Sequence, residues 1–102
     1  MDNIICGNGS DEILSLLANC FAGEGDEIVY SEHGFLVYPI ATKAAGATPV
    51  VAKEKKYKAD VEEIINVCTN KTKVCFIANP NNPTGTYLNR NQLITLRKKL
   101  PK

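Results

Sequence analysis

Two stretches of this sequence hold residue types at spacings that bear on chemistry. Asn79-Pro80-Asn81-Asn82-Pro83-Thr84-Gly85 follows directly on the apolar run Val74-Cys75-Phe76-Ile77-Ala78. Its prolines and glycine give a stiff backbone with few N–H donors, and that backbone presents the amides of Asn81 and Asn82. An Asn-Pro bond can also take the cis form, which aims a side chain in an unusual direction. From composition, a surface turn and a ligand loop both stay open. The second stretch, Gly7-Asn8-Gly9-Ser10-Asp11-Glu12, puts flexible backbone just ahead of a helix. Free N–H groups and the helix dipole favour an anion such as phosphate there. It is not a P-loop, since no Gly-Lys-Ser/Thr follows, and Glu12 breaks the G-x-G-x-x-G pattern. A glycine turn with a serine cap is the simpler reading of this stretch.

Other chemistry finds little support. Cys6, Cys20, Cys68 and Cys75 show no C-x-x-C spacing and His33 is the single histidine, so no metal site and no redox pair is expected. The cysteines read as small buried hydrophobes. Lys and Arg total 12 against 11 for Asp and Glu, which supplies no field for nucleic acid or an acidic membrane. Arg97-Lys98-Lys99 falls where a last helix ends, and cations there answer its dipole. No apolar run reaches the ~18 residues of a membrane span. Met1-Asp2-Asn3 lacks the basic start of a signal peptide, so the cytoplasm is the expected location.

The elements that must position these residues follow from periodicity. A chain of 102 residues, 44% hydrophobic and 23% charged, suits one soluble α/β unit spanning residues 1–102 with one modest core. Ser10 is placed to cap a helix bearing Ile13, Leu14, Leu17 and Phe21, closed by Gly23 and Gly25. Ile28-Val29-Tyr30 reads as a buried strand, and Ser31-Glu32-His33-Gly34 as the loop after it. A second helix is expected from about Phe35 to Ala45, with Pro39 in its first turn and Gly46 as its stop. Thr48 to Ala52 makes another strand, and Lys53 to Lys58 a charged surface connection. Asp60 and Glu63 have capping-box spacing ahead of a helix striped with Val61, Ile64, Ile65 and Cys68. Val74 to Ala78 reads as a central strand covered on both faces. The final helix starts near Asn89, with Gln92 three residues on and Leu93, Leu96 and Leu100 along one side. Such alternation implies right-handed βαβ units, a mostly parallel sheet and flanking helices, with ligands at the carboxyl ends of the strands.

Asn-Asn-Pro-Thr-Gly after an apolar strand resembles the signature loop of fold type I pyridoxal-phosphate aminotransferases. The run from Gly9-Ser10-Asp11-Glu12 through Gly25-Asp26-Glu27-Ile28-Val29 to Ser31-Glu32-His33-Gly34-Phe35-Leu36-Val37-Tyr38 is similar to the histidinol-phosphate aminotransferase branch. The resemblance covers nearly the whole chain. It implies part of a three-layer large domain and pyridoxal 5'-phosphate as cofactor. Ser10 and Asp11 correspond to the turn whose N–H groups hold the cofactor phosphate. Phe35 falls where the family stacks an aromatic ring on the pyridine. Asn82 matches the asparagine that bonds the phenolic oxygen, while Asn81 shapes the loop. The implied reaction moves an amino group from glutamate to an imidazole ketone phosphate or a related oxo acid.

The family's Schiff-base lysine lies in a Ser-x-x-Lys segment beyond the signature loop, and no Ser-x-x-Lys occurs in this sequence. No catalytic residue is therefore assigned, and no turnover is expected from this chain alone. Lys53, Lys55, Lys56 and Lys58 read as solvated surface. The alternative to a cofactor half-site is a non-catalytic remnant or interaction module with weak or no phosphate or cofactor binding. Open sheet edges and uncovered apolar faces make self-association, or pairing with a complementing chain, a further expectation.

Overall fold

The computed structural model describes residues 2–101. Its centre is β1 (Glu27–Ser31), paired in parallel with β2 (Thr48–Ala52) on one side and β5 (Thr72–Phe76) on the other. Successive side chains of a strand point to opposite faces, and β1 uses both. Ile28 and Tyr30 enter one core with Phe76, while Val29 enters a second with Ala52. On the first face α1 (Gly9–Phe21) and α2 (Val37–Ala44) contribute Ala18, Tyr38 and Ala41. On the second, α3 (Val61–Val67) and α4 (Arg90–Lys99) contribute Val61, Ile64 and Leu96. The expected three-layer arrangement is what these two cores build.

Several expectations need correction. The apolar run at Val74–Ala78 is not the central strand of this sheet. The order is β2-β1-β5, so within these residues β5 has a hydrogen-bonded neighbour on one side only, and it ends at Phe76. Helix α1 begins at Gly9, with Asn8 as its N-cap and no side-chain cap bond, so Ser10 lies inside the first turn. The Glu12 carboxylate accepts the Asn8 N–H and takes over part of that capping. Asp60 does cap α3, accepting the Glu62 N–H at 3.0 Å, but Glu63 does not close a box. The other Asp60 oxygen is 2.9 Å from Lys55 Nζ. At α4 the box is complete, with Asn89 and Gln92 bonding reciprocally. Cys6, ahead of α1, and Cys20, in α1, are exposed, and Cys68, just past α3, and Cys75, in β5, are only half-buried.

The Lys53–Lys58 connection also holds more structure than its charge implied. β3 (Glu54–Lys55) and β4 (Lys58–Ala59) form an antiparallel hairpin around Lys56 and Tyr57, whose φ values are 50° and 61°. Left-handed backbone at both central residues is the geometry of a type I′ turn.

Strand order fixes where a ligand can enter. The chain leaves β1 toward β2 on one side, then returns across β1 to place β5 on the other. Crossovers diverging from neighbouring strands leave a crevice outside the carboxyl ends of β1 and β5. The loops after Ser31 and after Phe76 border it.

Candidate functional site

The loop after β1 turns tightly, with the Gly34 N–H donating to the Ser31 carbonyl at 2.9 Å. A Cβ at Gly34 would stand 2.9 Å from that carbonyl oxygen and 3.1 Å from the Tyr38 ring, so only glycine fits. The turn delivers Phe35, half-buried, with its ring edge-on to Tyr38 at 6.1 Å and 89°. Tyr38 is in turn stacked on Phe76 at 5.1 Å. Offset and edge-on contacts of this kind hold rings in defined orientations.

The loop after β5 carries cis peptide bonds at Asn79-Pro80 and Asn82-Pro83. Its asparagines divide the work. Asn79 accepts the Leu88 N–H at 2.7 Å and donates to the Leu88 carbonyl at 3.1 Å. Asn81 donates to Thr84 Oγ1 at 2.9 Å and to the His33 carbonyl at 3.0 Å, which ties the two loops together. Asn81 thus shapes the loop, as expected. Asn82 is exposed, and among the described residues no protein group bonds its amide.

Between the loops lies a concavity of about 430 Å³, walled by Glu32 to Leu36 on one side and by Asn82 and Pro83 on the other. Phe35 and Asn82 are therefore brought together, from positions far apart in sequence. Ser10 and Asp11 are not part of that wall. They sit exposed in the first turn of α1, where helix geometry leaves their N–H groups without intrahelical acceptors. α1 runs back antiparallel to β1 through the short turn at 22–26, so this helix end faces the carboxyl side of the sheet.

One group at the site escaped the sequence reading. Glu54, at the start of the hairpin, has a side chain only 1% exposed. Its Oε1 accepts from Ser31 Oγ at 2.6 Å and from the His33 N–H at 3.1 Å, and its Oε2 lies 2.9 Å from His33 Nδ1. Burial pushes the Glu54 carboxyl up, but the bonds from Ser31 and His33 together outweigh it and hold the group below its ordinary value. Nothing in the spacing marked this cluster, because Glu54 is flanked by Lys53 and Lys55 and reads as charged surface.

A second concavity, of about 490 Å³, lies between the hairpin and the starts of α3 and α4. Its Lys55 is already paired with Asp60, and Lys58 lies over the Tyr87 ring at 5.9 Å. Its cations are thus engaged by the protein itself, and the first concavity is the better candidate. Among the described residues no His, Cys, Asp or Glu group could hold a metal ion, and no helix is long and apolar enough to cross a membrane.

Known proteins share this arrangement. The family model for aminotransferase class I and II matches residues 1–102. The histidinol-phosphate aminotransferase of Rhodopseudomonas palustris (strain HaA2) is 58% identical over 100 residues, covering 98% of this chain and 27% of its own length. The chain thus spans about a quarter of the length of the curated relatives it matches. Among solved structures, the histidinol-phosphate aminotransferase of Sinorhizobium meliloti in complex with pyridoxal-5'-phosphate shares the fold, with TM-score 0.86, 21% identity and coverage of 93% of this chain and 26% of that one. The aspartate aminotransferase of Thermus thermophilus with maleate superposes with TM-score 0.83 at 26% identity, covering 89% of this chain and 25% of that one. With the signature loop at the carboxyl end of a parallel three-layer sheet and a family match along its whole length, the chain belongs to the aminotransferase class I and II family, whose cofactor is pyridoxal 5'-phosphate.

Proposed function

We propose that this chain forms one wall of the pyridoxal-phosphate pocket of a histidinol-phosphate aminotransferase-like enzyme. The observation that carries the reading is the shared concavity of Phe35 and Asn82 at the switch point of the sheet. The residues present fit the cofactor. Phe35 offers a half-buried aromatic face for a flat ring. Asn82 offers an amide that no protein group occupies, suited to a phenolic oxygen. The N–H groups of Ser10 and Asp11 at the head of α1 suit a phosphate. About 430 Å³ lies within the range of small-molecule pockets.

When bound, the cofactor supplies the electron sink and carries the amino group between donor and acceptor. This chain's residues bind and orient it. The 58% identity to a histidinol-phosphate aminotransferase supports glutamate as donor and an imidazole ketone phosphate, or a related oxo acid, as acceptor. A polypeptide of these 102 residues, which contains no Ser-x-x-Lys, folds as one unit and turns over nothing by itself.

Titration of the purified chain with pyridoxal phosphate tests the reading. Saturable 1:1 binding is expected, weakened about tenfold by Asn82→Ala, the equivalent of one hydrogen bond, and also weakened by Phe35→Ala. No saturable binding would leave a non-catalytic α/β module. Glutamate-dependent amino transfer by the chain alone would overturn its inactivity.

A further inference from the structure

We propose that Glu54 is a positioning residue, which holds the Ser31–Phe35 loop through Ser31 and His33 so that Phe35 stands opposite Asn82. The inference rests on reading Phe35 and Asn82 as cofactor contacts, but its own evidence is separate. A carboxylate taken out of water must be fully partnered, and Glu54, whose side chain is 1% exposed, uses both oxygens on one short stretch of chain. Ser31 Oγ, the His33 N–H and His33 Nδ1 all converge on it, at 2.6, 3.1 and 2.9 Å. Those residues lead directly into Gly34 and Phe35.

The hairpin that carries Glu54 grips the other loop as well. The Tyr57 ring packs against the His33 ring at 4.9 Å, and the Tyr57 carbonyl accepts from Thr86 Oγ1 at 2.7 Å. His33 in turn accepts the Asn81 amide on its carbonyl at 3.0 Å. Hairpin, first loop and second loop therefore close a triangle, and the concavity lies between two of its sides. Glu54 is the buried charge at the corner where hairpin and first loop meet. Without it, His33 keeps its ring contact but loses the bonds that set its backbone.

The test compares Glu54→Gln, His33→Phe and His33→Asn with the parent chain, and includes Phe35→Ala and Asn82→Ala as reporters of the cofactor reading. Pyridoxal-phosphate affinity and hydrogen exchange of the backbone amides in both loops are measured. Glu54→Gln and His33→Phe are expected to weaken binding about tenfold and to speed exchange at 33–35 and 81–82, with β1 and β2 unchanged. His33→Asn, which keeps an N–H donor near the Nδ1 position, is expected to recover most of both. Parent-like binding and exchange in Glu54→Gln, while Phe35→Ala and Asn82→Ala still weaken binding, would overturn the role of Glu54 and spare the cofactor reading. If the parent chain binds no pyridoxal phosphate, the cofactor reading fails and loop exchange alone decides: faster exchange in both loops supports Glu54, unchanged exchange rejects it. Should Glu54→Gln fail to fold, the two His33 variants decide in its place, and equal behaviour of His33→Asn and His33→Phe would reject the proposal.

Discussion

Glu54 and Cys75 show how surroundings reset a side chain's chemistry. Around Glu54 the hydrogen bonds from Ser31 and His33 prevail over burial, so the folded carboxyl ionises more readily than the unfolded one. A lowered carboxyl pKa adds stability above its unfolded value, and that stability is lost as pH falls through the folded value. Urea denaturation should find the parent chain more stable than Glu54→Gln by roughly 1–3 kcal/mol at pH 7, with the gap closing in acid below about pH 4. A constant gap across that window would contradict the bonding described. At Cys75, burial and then the neighbouring Cys68 push the thiol up to about 12. Thiolate is the reactive form, so alkylation at pH 8 should label exposed Cys6 and Cys20 first, while Cys75, whose thiolate fraction there is about a thousandfold below that of an ordinary thiol, stays unlabelled until the chain unfolds. Mass spectrometry of timed reactions reads this directly.

At the scale of elements, the hairpin and the last helix make opposite demands. The β3–β4 turn puts Lys56 and Tyr57 in left-handed backbone, a conformation that costs most side chains about 1 kcal/mol. Tyr57 is compensated by its contact with the His33 ring, whereas Lys56 is exposed. Lys56→Asn should therefore raise stability by about 0.5 kcal/mol, seen as a higher thermal midpoint. Helix α4 depends on its box, in which Asn89 Oδ1 accepts the Gln92 N–H at 2.9 Å and Gln92 Oε1 accepts the Asn89 N–H at 2.9 Å. Asn89→Ala should cost about 1 kcal/mol, and equal denaturation midpoints would show that packing of Leu96 alone secures the helix. The box was legible because its residues lie three apart. The turn was not, because Lys-Tyr is none of the residue pairs that usually mark type I′ geometry.

For the whole molecule, the uncovered surface is the main consequence. Phe21 is 62% exposed, Leu36 78% and Ile40 65%, and β2 and β5 each leave an edge open among the described residues. Apolar surface of this kind favours association. Sedimentation should reveal concentration-dependent self-association of the chain, reduced by Leu36→Lys with Ile40→Lys. A monomer at every concentration would show that these faces are tolerated in water.

What the sequence determined by itself was set by short-range rules. Apolar spacing, glycine stops and a capping pair located the four helices and the three parallel strands to within a few residues, because those signals act along the chain. The Asn79–Gly85 loop likewise announced its family through residue types alone. Tertiary structure decided the rest. Which strand is central depends on which edges pair, so Val74–Ala78 could look central while β1 takes that place. The meeting of Phe35 with Asn82, and of Glu54 with Ser31 and His33, joins residues separated by twenty or more positions. A buried charge is recognisable only by its partners, and those partners exist only once the sheet has brought the loops together.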